Sequence, residues 1–346
     1  MSHALTEPTA AGPPPPVGGT GRGSLARAEL HRLTARRLIR WLVVLSAVGF
    51  LVVWAISLTQ FARPSPELLE QARQQQADIV AEQRMFCLED PGIPAAEKEE
   101  ICDLEYSEEE FGSVEVFLPK QPFDAAGGLP GGAAGVSVAV AALTFLIGAT
   151  YAGAEWSTKS IVALLFWEPR RLRVFLTKLA VLLAAVAVLA ALAQLVWLGA
   201  GSLLARLRGS FELPNNFWSD LAGIQGRGVV LAVITAALGF GLANLIRNTG
   251  AALGVAFGYF VLVENAIRAV RPAWQPYLIG ENAAALLTKG GIEVFLPPPG
   301  GASDFGPIQD ENLLLISNQR GALTLAVYCL VVLLAGAVLF RRRDLT

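Results

Sequence analysis

The stretch "YAGAEWSTKSIVALLFWEPRR", residues 151–171, comes nearest to a reactive motif in this chain. Gly153 precedes Lys159 and Ser160 with the spacing of a phosphate loop, G-x-x-x-x-G-K-[ST], except that Thr158 stands where the second glycine belongs. A working loop needs a strand, a glycine turn and then a helix whose N-terminal amides cradle phosphate. Here the preceding residues, "VSVAVAALTFLIGAT", read as part of a membrane span rather than a strand of an α/β sheet. Threonine does not easily take the open backbone that glycine supplies, and no Walker-B-like strand ending in Asp follows. The stretch is not a nucleotide site.

Other catalytic constellations lack their parts. The two histidines, His3 and His31, both lie near the N-terminus, so a histidine triad or metal centre within the membrane has no material. H-E-x-x-H, C-x-x-C and G-x-S-x-G are absent. The acidic run "EYSEEE" at 105–110 lacks the spaced ligands of a calcium loop and reads as a solvated face. No catalytic, cofactor-binding or metal-binding residue is therefore assigned. Cys87 and Cys102 are close in sequence, and a disulfide between them would stabilise the enclosing segment by roughly 3 kcal/mol; two unpaired thiols are the alternative. Cys329 reads as a packing residue.

The elements that position these residues follow from composition. Of 346 residues 53% are hydrophobic and only 16% charged, against about a quarter charged in an ordinary soluble domain. Six apolar runs, roughly 41–61, 132–152, 174–205, 228–246, 250–270 and 321–340, are each long enough to cross a bilayer core. In lipid such runs must be helices, because no backbone group can be left unpaired. The fold class expected is an all-α polytopic membrane protein with six transmembrane helices. Residues 1–23, rich in Pro and Gly, read as a disordered tail. Residues 24–40 place Leu25, Leu30, Leu33 and Leu38 among arginines, as a basic amphipathic interfacial helix would. Lys and Arg near the span ends fix orientation. Arg36, Arg37, Arg40, Arg170, Arg171, Arg173, Lys178, Arg247 and Arg341–Arg343 cluster on one side, whereas the loop 62–131 has 16 Asp/Glu against 5 Lys/Arg. Both termini are expected in the cytoplasm, with two large extracytoplasmic loops at 62–131 and 271–320. The hexamers "VEVFLP" (114–119) and "IEVFLP" (292–297) in those loops are candidate short strands, able to pair with each other.

Between the second and third runs, Glu155 and Lys159 have the favourable i,i+4 order for an ion pair. Ile161, Val162, Leu164, Leu165 and Phe166 supply an apolar side flanked by Trp156 and Trp167, and Pro169 ends the helix. The segment is either an ordinary anchored loop or a docking element for a partner. Within the spans, Glu264 and Arg268 suit an i,i+4 salt bridge, beside Asn265; a contact with substrate or with another subunit is the alternative. Asn244 is placed to cap or bridge helices.

The pattern "GAEW(x)10WEPRRLRVFLTKL" at 153–179 resembles the permease subunits of ABC-2-type ABC transporters, particularly those common in high-GC bacteria. In that family a small-residue turn and an acidic-aromatic pair close span two; a short helix then precedes a P-[RS]-R segment and a Lys at the head of span three. These match Gly153, Glu155-Trp156, Pro169-Arg170-Arg171 and Lys178. The layout of about 41–346 also resembles the family, while Lys159-Ser160 departs from a common Gly-Thr pair and the 62–131 loop is larger than in simple members. The resemblance implies a non-catalytic transport subunit in a bacterial plasma membrane, most simply an exporter. It implies a coupling helix at about 155–168 seated on an ABC ATPase subunit present in two copies, which binds ATP and Mg, and a second permease chain in a homo- or heterodimer. No cofactor is expected on this chain, and the only other partner is the lipid bilayer, not nucleic acid. An ion-coupled secondary transporter and a membrane-embedded lipid-processing enzyme are the rival readings.

Overall fold

The structure, a computed structural model, describes residues 22–94, 97–105, 113–161, 170–211, 213–296 and 313–342. Helix α1 (Arg22–Ala35) leads into α2 (Arg37–Gln60); α3 (Pro66–Glu89) and α4 (Lys98–Glu105) follow. Then come α5 (Ala125–Ser157), α6 (Arg171–Arg208) and α7 (Phe217–Ile246). A fifth long element runs through α8 (Thr249–Gly258), a π turn (Tyr259–Val263) and α9 (Glu264–Val270). Short α10 (Ile279–Leu287) and the final α11 (Asn318–Arg342) complete the order. Six helices, of 24, 33, 38, 30, 22 and 25 residues, are long and apolar enough to cross a membrane. Even the shortest reaches about 33 Å at 1.5 Å per residue, beyond a hydrocarbon core of about 30 Å. The architecture is all-α and polytopic.

Several boundaries differ from the sequence expectation, each for a local reason. The second spanning helix begins at Ala125 rather than 132, because the Asp124 carboxylate accepts from the Ala126 and Gly127 amides, both at 2.8 Å, and caps it. The fourth begins at Phe217 rather than 228; Arg227 does not end it, since its guanidinium reaches the Leu287 carbonyl at 3.4 Å. The interfacial element expected over 24–40 ends at Ala35, and extended backbone at Arg36 lets Arg37–Arg40 open α2. Its leucine stripe is only partly buried: Leu33 faces inward beside Glu29, Leu25 is half-buried, and Leu30 and Leu38 are exposed. The coupling helix expected over 155–168 is likewise divided. Glu155 and Trp156 are the last turn of α5, and the chain breaks at Thr158–Lys159, where Lys159 has φ of 55°. Ser160 and Ile161 are helical again, and Trp167 and Pro169 lie outside the described residues, as does the tail through residue 21.

The two hexamers do not pair. Residues Val114–Phe117 form a 3-10 turn against α3, whose amide bonds close locally (Val116 N to Ser113 O 3.1 Å, Leu118 N to Glu115 O 3.2 Å). Ile292–Phe295 is a strand, β3, but its antiparallel partner is β4, Leu313–Ile316, in the register Ile292↔Ile316 to Phe295↔Leu313. A parallel two-residue bridge joins Phe123–Asp124 (β1) to Gly209–Ser210 (β2). Among its described residues, the loop 62–131 is largely helical. Ser65 caps α3 by accepting from the Leu68 amide at 3.2 Å, and a disulfide joins buried Cys87 on α3 to buried Cys102 on α4.

Packing centres on α5 and α7. A Cβ on Gly148 would run into the carbonyl oxygen of Ala236, and one on Gly239 into that of Phe145. Thr144 Oγ1 donates across the same seam, within 3.0 Å of both the Ala232 carbonyl and Thr235 Oγ1. Small residues let two backbones touch, which is how helices associate where lipid removes the hydrophobic drive. Side-chain and backbone contacts place the starts of α2, α6 and α8 at one end with the finishes of α1, α5, α7 and α11. We call this the terminal end, and the opposite one the loop end. The seam yields a test. Gly148→Leu should destabilise the purified protein by at least ~2 kcal/mol through overpacking, read as a lower thermal midpoint in detergent. Gly49→Leu, where nothing lies within 4 Å of the added Cβ, should leave the midpoint unchanged.

Candidate functional site

The terminal end contains a buried group of charges that four elements build together. The last turns of α5 place Tyr151 and Glu155 one helical turn apart on one face, and both are buried. Lys178, two turns into α6, is 4% exposed and aims its ammonium between them. From α1, Glu29 enters with no exposed surface at all. Lys178 Nζ donates to Glu29 Oε2 at 2.6 Å and to Glu155 Oε1 at 2.8 Å. Tyr151 Oη donates to Glu29 Oε2 at 2.7 Å, and Arg32 Nη1 donates to Glu29 Oε1 at 2.8 Å. Arg36, at the joint between α1 and α2, donates to Glu155 Oε1 at 2.9 Å and to the Thr150 carbonyl at 3.0 Å. The Tyr151 ring lies 5.3 Å from the Arg36 guanidinium and 5.1 Å from the Lys178 ammonium, within cation–π range.

Two buried carboxylates thus balance two cations, with Arg32 at the rim. Burial pushes the Glu29 carboxyl up, but the Lys178 charge and the hydrogen bonds from Lys178 and Tyr151 outweigh it, and the carboxyl is held below its ordinary 4.5. Glu155 turns to Arg36 and Lys178, not to Lys159, its i,i+4 neighbour. Lys159 is exposed, carried away by its left-handed backbone.

The next residue faces the other way. Trp156 Nε1 donates to Asn244 Oδ1 at 3.1 Å, and Asn244 Nδ2 bonds the Phe240 carbonyl at 2.8 Å, which joins α5 to α7. The Arg247 guanidinium lies 4.6 Å from the Trp156 ring, and Phe340 of α11 meets that ring edge-on at 5.8 Å. Glu155 and Trp156 therefore fasten the end of α5 to α1, α6, α7 and α11. Arg170 is exposed ahead of α6, and Arg171 Nη1 lies 3.4 Å from the Arg341 carbonyl. Gly153 is inside α5, where a Cβ would strike the Thr249 backbone; glycine here permits the close approach of α8.

At the loop end, Glu264 is 2% exposed. Its carboxylate accepts from Arg268 Nη2 at 3.1 Å and from the Gly280 amide at 2.9 Å, while Arg268 Nε reaches Glu281 at 2.8 Å. Glu264 thereby caps α10, a helix start that no residue of its own caps. A Cβ on Gly280 would come within 2.6 Å of Glu264 Oε2, so only glycine leaves room for the carboxylate. Asn318 closes the other end of α10, donating to the Ala285 and Thr288 carbonyls at 2.6 Å. Asn265 does not join this group: it is exposed and bonds its own helix at Phe260 O (3.2 Å) and Val261 O (2.9 Å), across the π turn.

Sequence reasoning brought Glu155 and Lys178 forward but missed Glu29, Arg36 and Tyr151. One signal was available: Glu29 is the only acid between Pro8 and Pro66, in a segment otherwise basic. A scan against protein-family models finds no match for this chain, and a search of curated proteins finds none either.

Two outcomes follow from this geometry. Lys178→Met removes the buried cation that the two carboxylates share, leaving Glu29 to Arg32 and Glu155 to Arg36, and should cost about 3–5 kcal/mol, seen as a lowered thermal midpoint and as tryptic cleavage opening within residues 27–40. The charge on Glu29 stabilises docking of α1 fully above 4.5, and that contribution is lost as pH falls below this value through the lowered one. Hydrogen exchange in α1, corrected for intrinsic rates, should therefore rise on acidification below 4.5 and stay flat from there to neutrality.

Proposed function

We propose that the chain is the membrane-spanning permease subunit of an ABC-2-type transporter, working as an exporter with both termini in the cytoplasm. One observation carries the reading. The two charged residues that the resemblance assigns to the end of span two and the head of span three, Glu155 and Lys178, are bonded to each other at 2.8 Å. The intervening segment is thereby fastened at its base to α5 and α6 together, and through Glu29 and Arg36 to α1. A partner ATPase pressing on that segment would move these helices as a unit, and the differential affinity of the ATPase for the two arrangements would shift their populations. Lys159 and Arg170, both exposed at the edges of the segment, are the contacts offered to the partner.

Co-purification with a candidate ATP-binding cassette ATPase tests the reading. Lys159→Glu with Arg170→Glu should abolish co-purification and chain-stimulated ATP turnover while leaving the thermal midpoint unchanged. A complex that forms equally well with the double variant, or never forms with the wild-type chain, defeats the proposal.

A second reading, an ion-coupled transporter, is favoured by the π turn directly ahead of buried Glu264, since interrupted helices and buried carboxylates mark ion sites. Flux driven by an imposed ion gradient without ATP, and lost in Glu264→Gln, would select it.

A further inference from the structure

A groove of about 280 Å³ opens at the terminal end between the start of α2 and the finish of α5. Arg36, Arg37, Leu38, Thr150, Ala154 and Thr158 line it. Its level is set by the helices themselves: one apolar span begins at Arg37 and another ends at Ser157, so the groove lies where hydrocarbon gives way to headgroups. The Arg37 and Arg40 side chains, three residues apart on α2, are exposed and make no ion pair among the described residues; Arg37 lines the groove, and Arg40, beyond the lining, has Nη2 3.4 Å from the Ala35 carbonyl. Glu155, the carboxylate bonded to groove-lining Arg36, is also occupied by Lys178. Leu38 and Trp41, 55% and 68% exposed, flank these arginines. Exposed arginine, leucine and tryptophan together at the end of a span are the composition of a surface that meets lipid headgroups. The start of α2 has no side-chain cap, so its positive dipole end adds to the arginine charge.

We propose that this groove binds an anionic phospholipid, its phosphate held by Arg37 and Arg40 and its glycerol and upper acyl carbons lying along Leu38 and Ala154. The chemistry favours a lipid over a soluble anion because the exposed lining of the groove is mostly carbon, with Arg36 and Arg37 its charged members. The proposal does not depend on the transporter reading. It does give the lipid a connection to the ion cluster, because Arg36 both lines the groove and donates to Glu155 and Thr150. A phosphate at the rim would draw on the guanidinium that fastens the α1–α2 joint to α5.

The test uses the full chain in mild detergent, titrated with phosphatidylglycerol or phosphatidylcholine, with bound lipid counted by native mass spectrometry. Phosphatidylglycerol should be retained in preference to phosphatidylcholine. Arg37→Ala with Arg40→Ala, both surface changes, should weaken its binding roughly thirtyfold, at the usual contribution of one interfacial arginine each. Arg37→Lys with Arg40→Lys should keep most of the affinity, and Ala154→Phe should lose it by filling the groove without altering charge. Arg341→Ala with Arg342→Ala, basic residues of the same end outside the groove, should bind as wild type. Equal retention of the two lipids, or an unchanged affinity in the Arg37/Arg40 double alanine variant, overturns the proposal. Displacement of phosphatidylglycerol by excess inorganic phosphate would assign the site to a soluble phosphate ligand and overturn the lipid assignment as well.

Discussion

The Lys178 ammonium, shared by Glu29 and Glu155, is the interaction on which the terminal end depends. A primary ammonium enclosed by protein needs anionic partners, because its desolvation costs several kcal/mol that hydrocarbon cannot return. Those partners come from two other helices, so the ammonium can be buried only if α1 folds back and α5 ends where it does. Apolar burial alone would not seat α1: its inward face offers Leu33 and Glu29, while Leu30 stays exposed. Charge holds this helix in place, and charge is directional. One arrangement satisfies both carboxylates, the tyrosine hydroxyl and two arginines.

The loop end uses the same logic with different parts. Glu264 is buried on the fifth spanning element and satisfies the amide of Gly280 at the start of α10, while Asn318 at the start of α11 satisfies carbonyls at its finish. A short helix is thus held at both ends by side chains of neighbouring spans. Between the two ends, α5 and α7 touch through glycine and alanine, and half of each span's apolar window is buried. The window of α2 has no buried residue, and that of the fifth element only 11%. These two are the surfaces left for lipid or for another chain. Groups that must not move are pinned by buried carboxylates or by backbone contact; the faces without either are the ones offered outward.

Much of this was legible in the residues. Six spans were read from apolar length, because a helix crossing lipid must be apolar throughout and leaves no ambiguity of period. Cys87 and Cys102 were recognised as a pair open to oxidation, and the disulfide is present. Glu155, Lys178, Asn244, Glu264 and Arg268 were noticed because polar groups near or inside a span need a reason. What escaped notice was partnership. Spacing along a helix suggested Lys159 for Glu155, yet the partners came from residues 36 and 178, because the chain breaks at Thr158 and sends Lys159 elsewhere. The twin hexamers show the same limit: sequences that differ only at their first residue became a 3-10 turn and a strand according to whether a second strand lay alongside.

By itself, the sequence determined which segments are long and apolar enough to cross a bilayer, which are not, and that no intact phosphate loop or histidine centre is available at 151–171. These follow from local properties: side-chain hydropathy, backbone hydrogen bonding within a helix, and the identity of residues at fixed spacing. Only the tertiary structure decided that Glu29 belongs with Lys178, that Gly148 and Gly239 sit at a backbone contact, and that Gly280 leaves room for a carboxylate. Each of those depends on approach between helices distant in the chain. In lipid that approach is governed by shape and by the pairing of a few buried charges, neither of which is recorded in the period of the apolar residues.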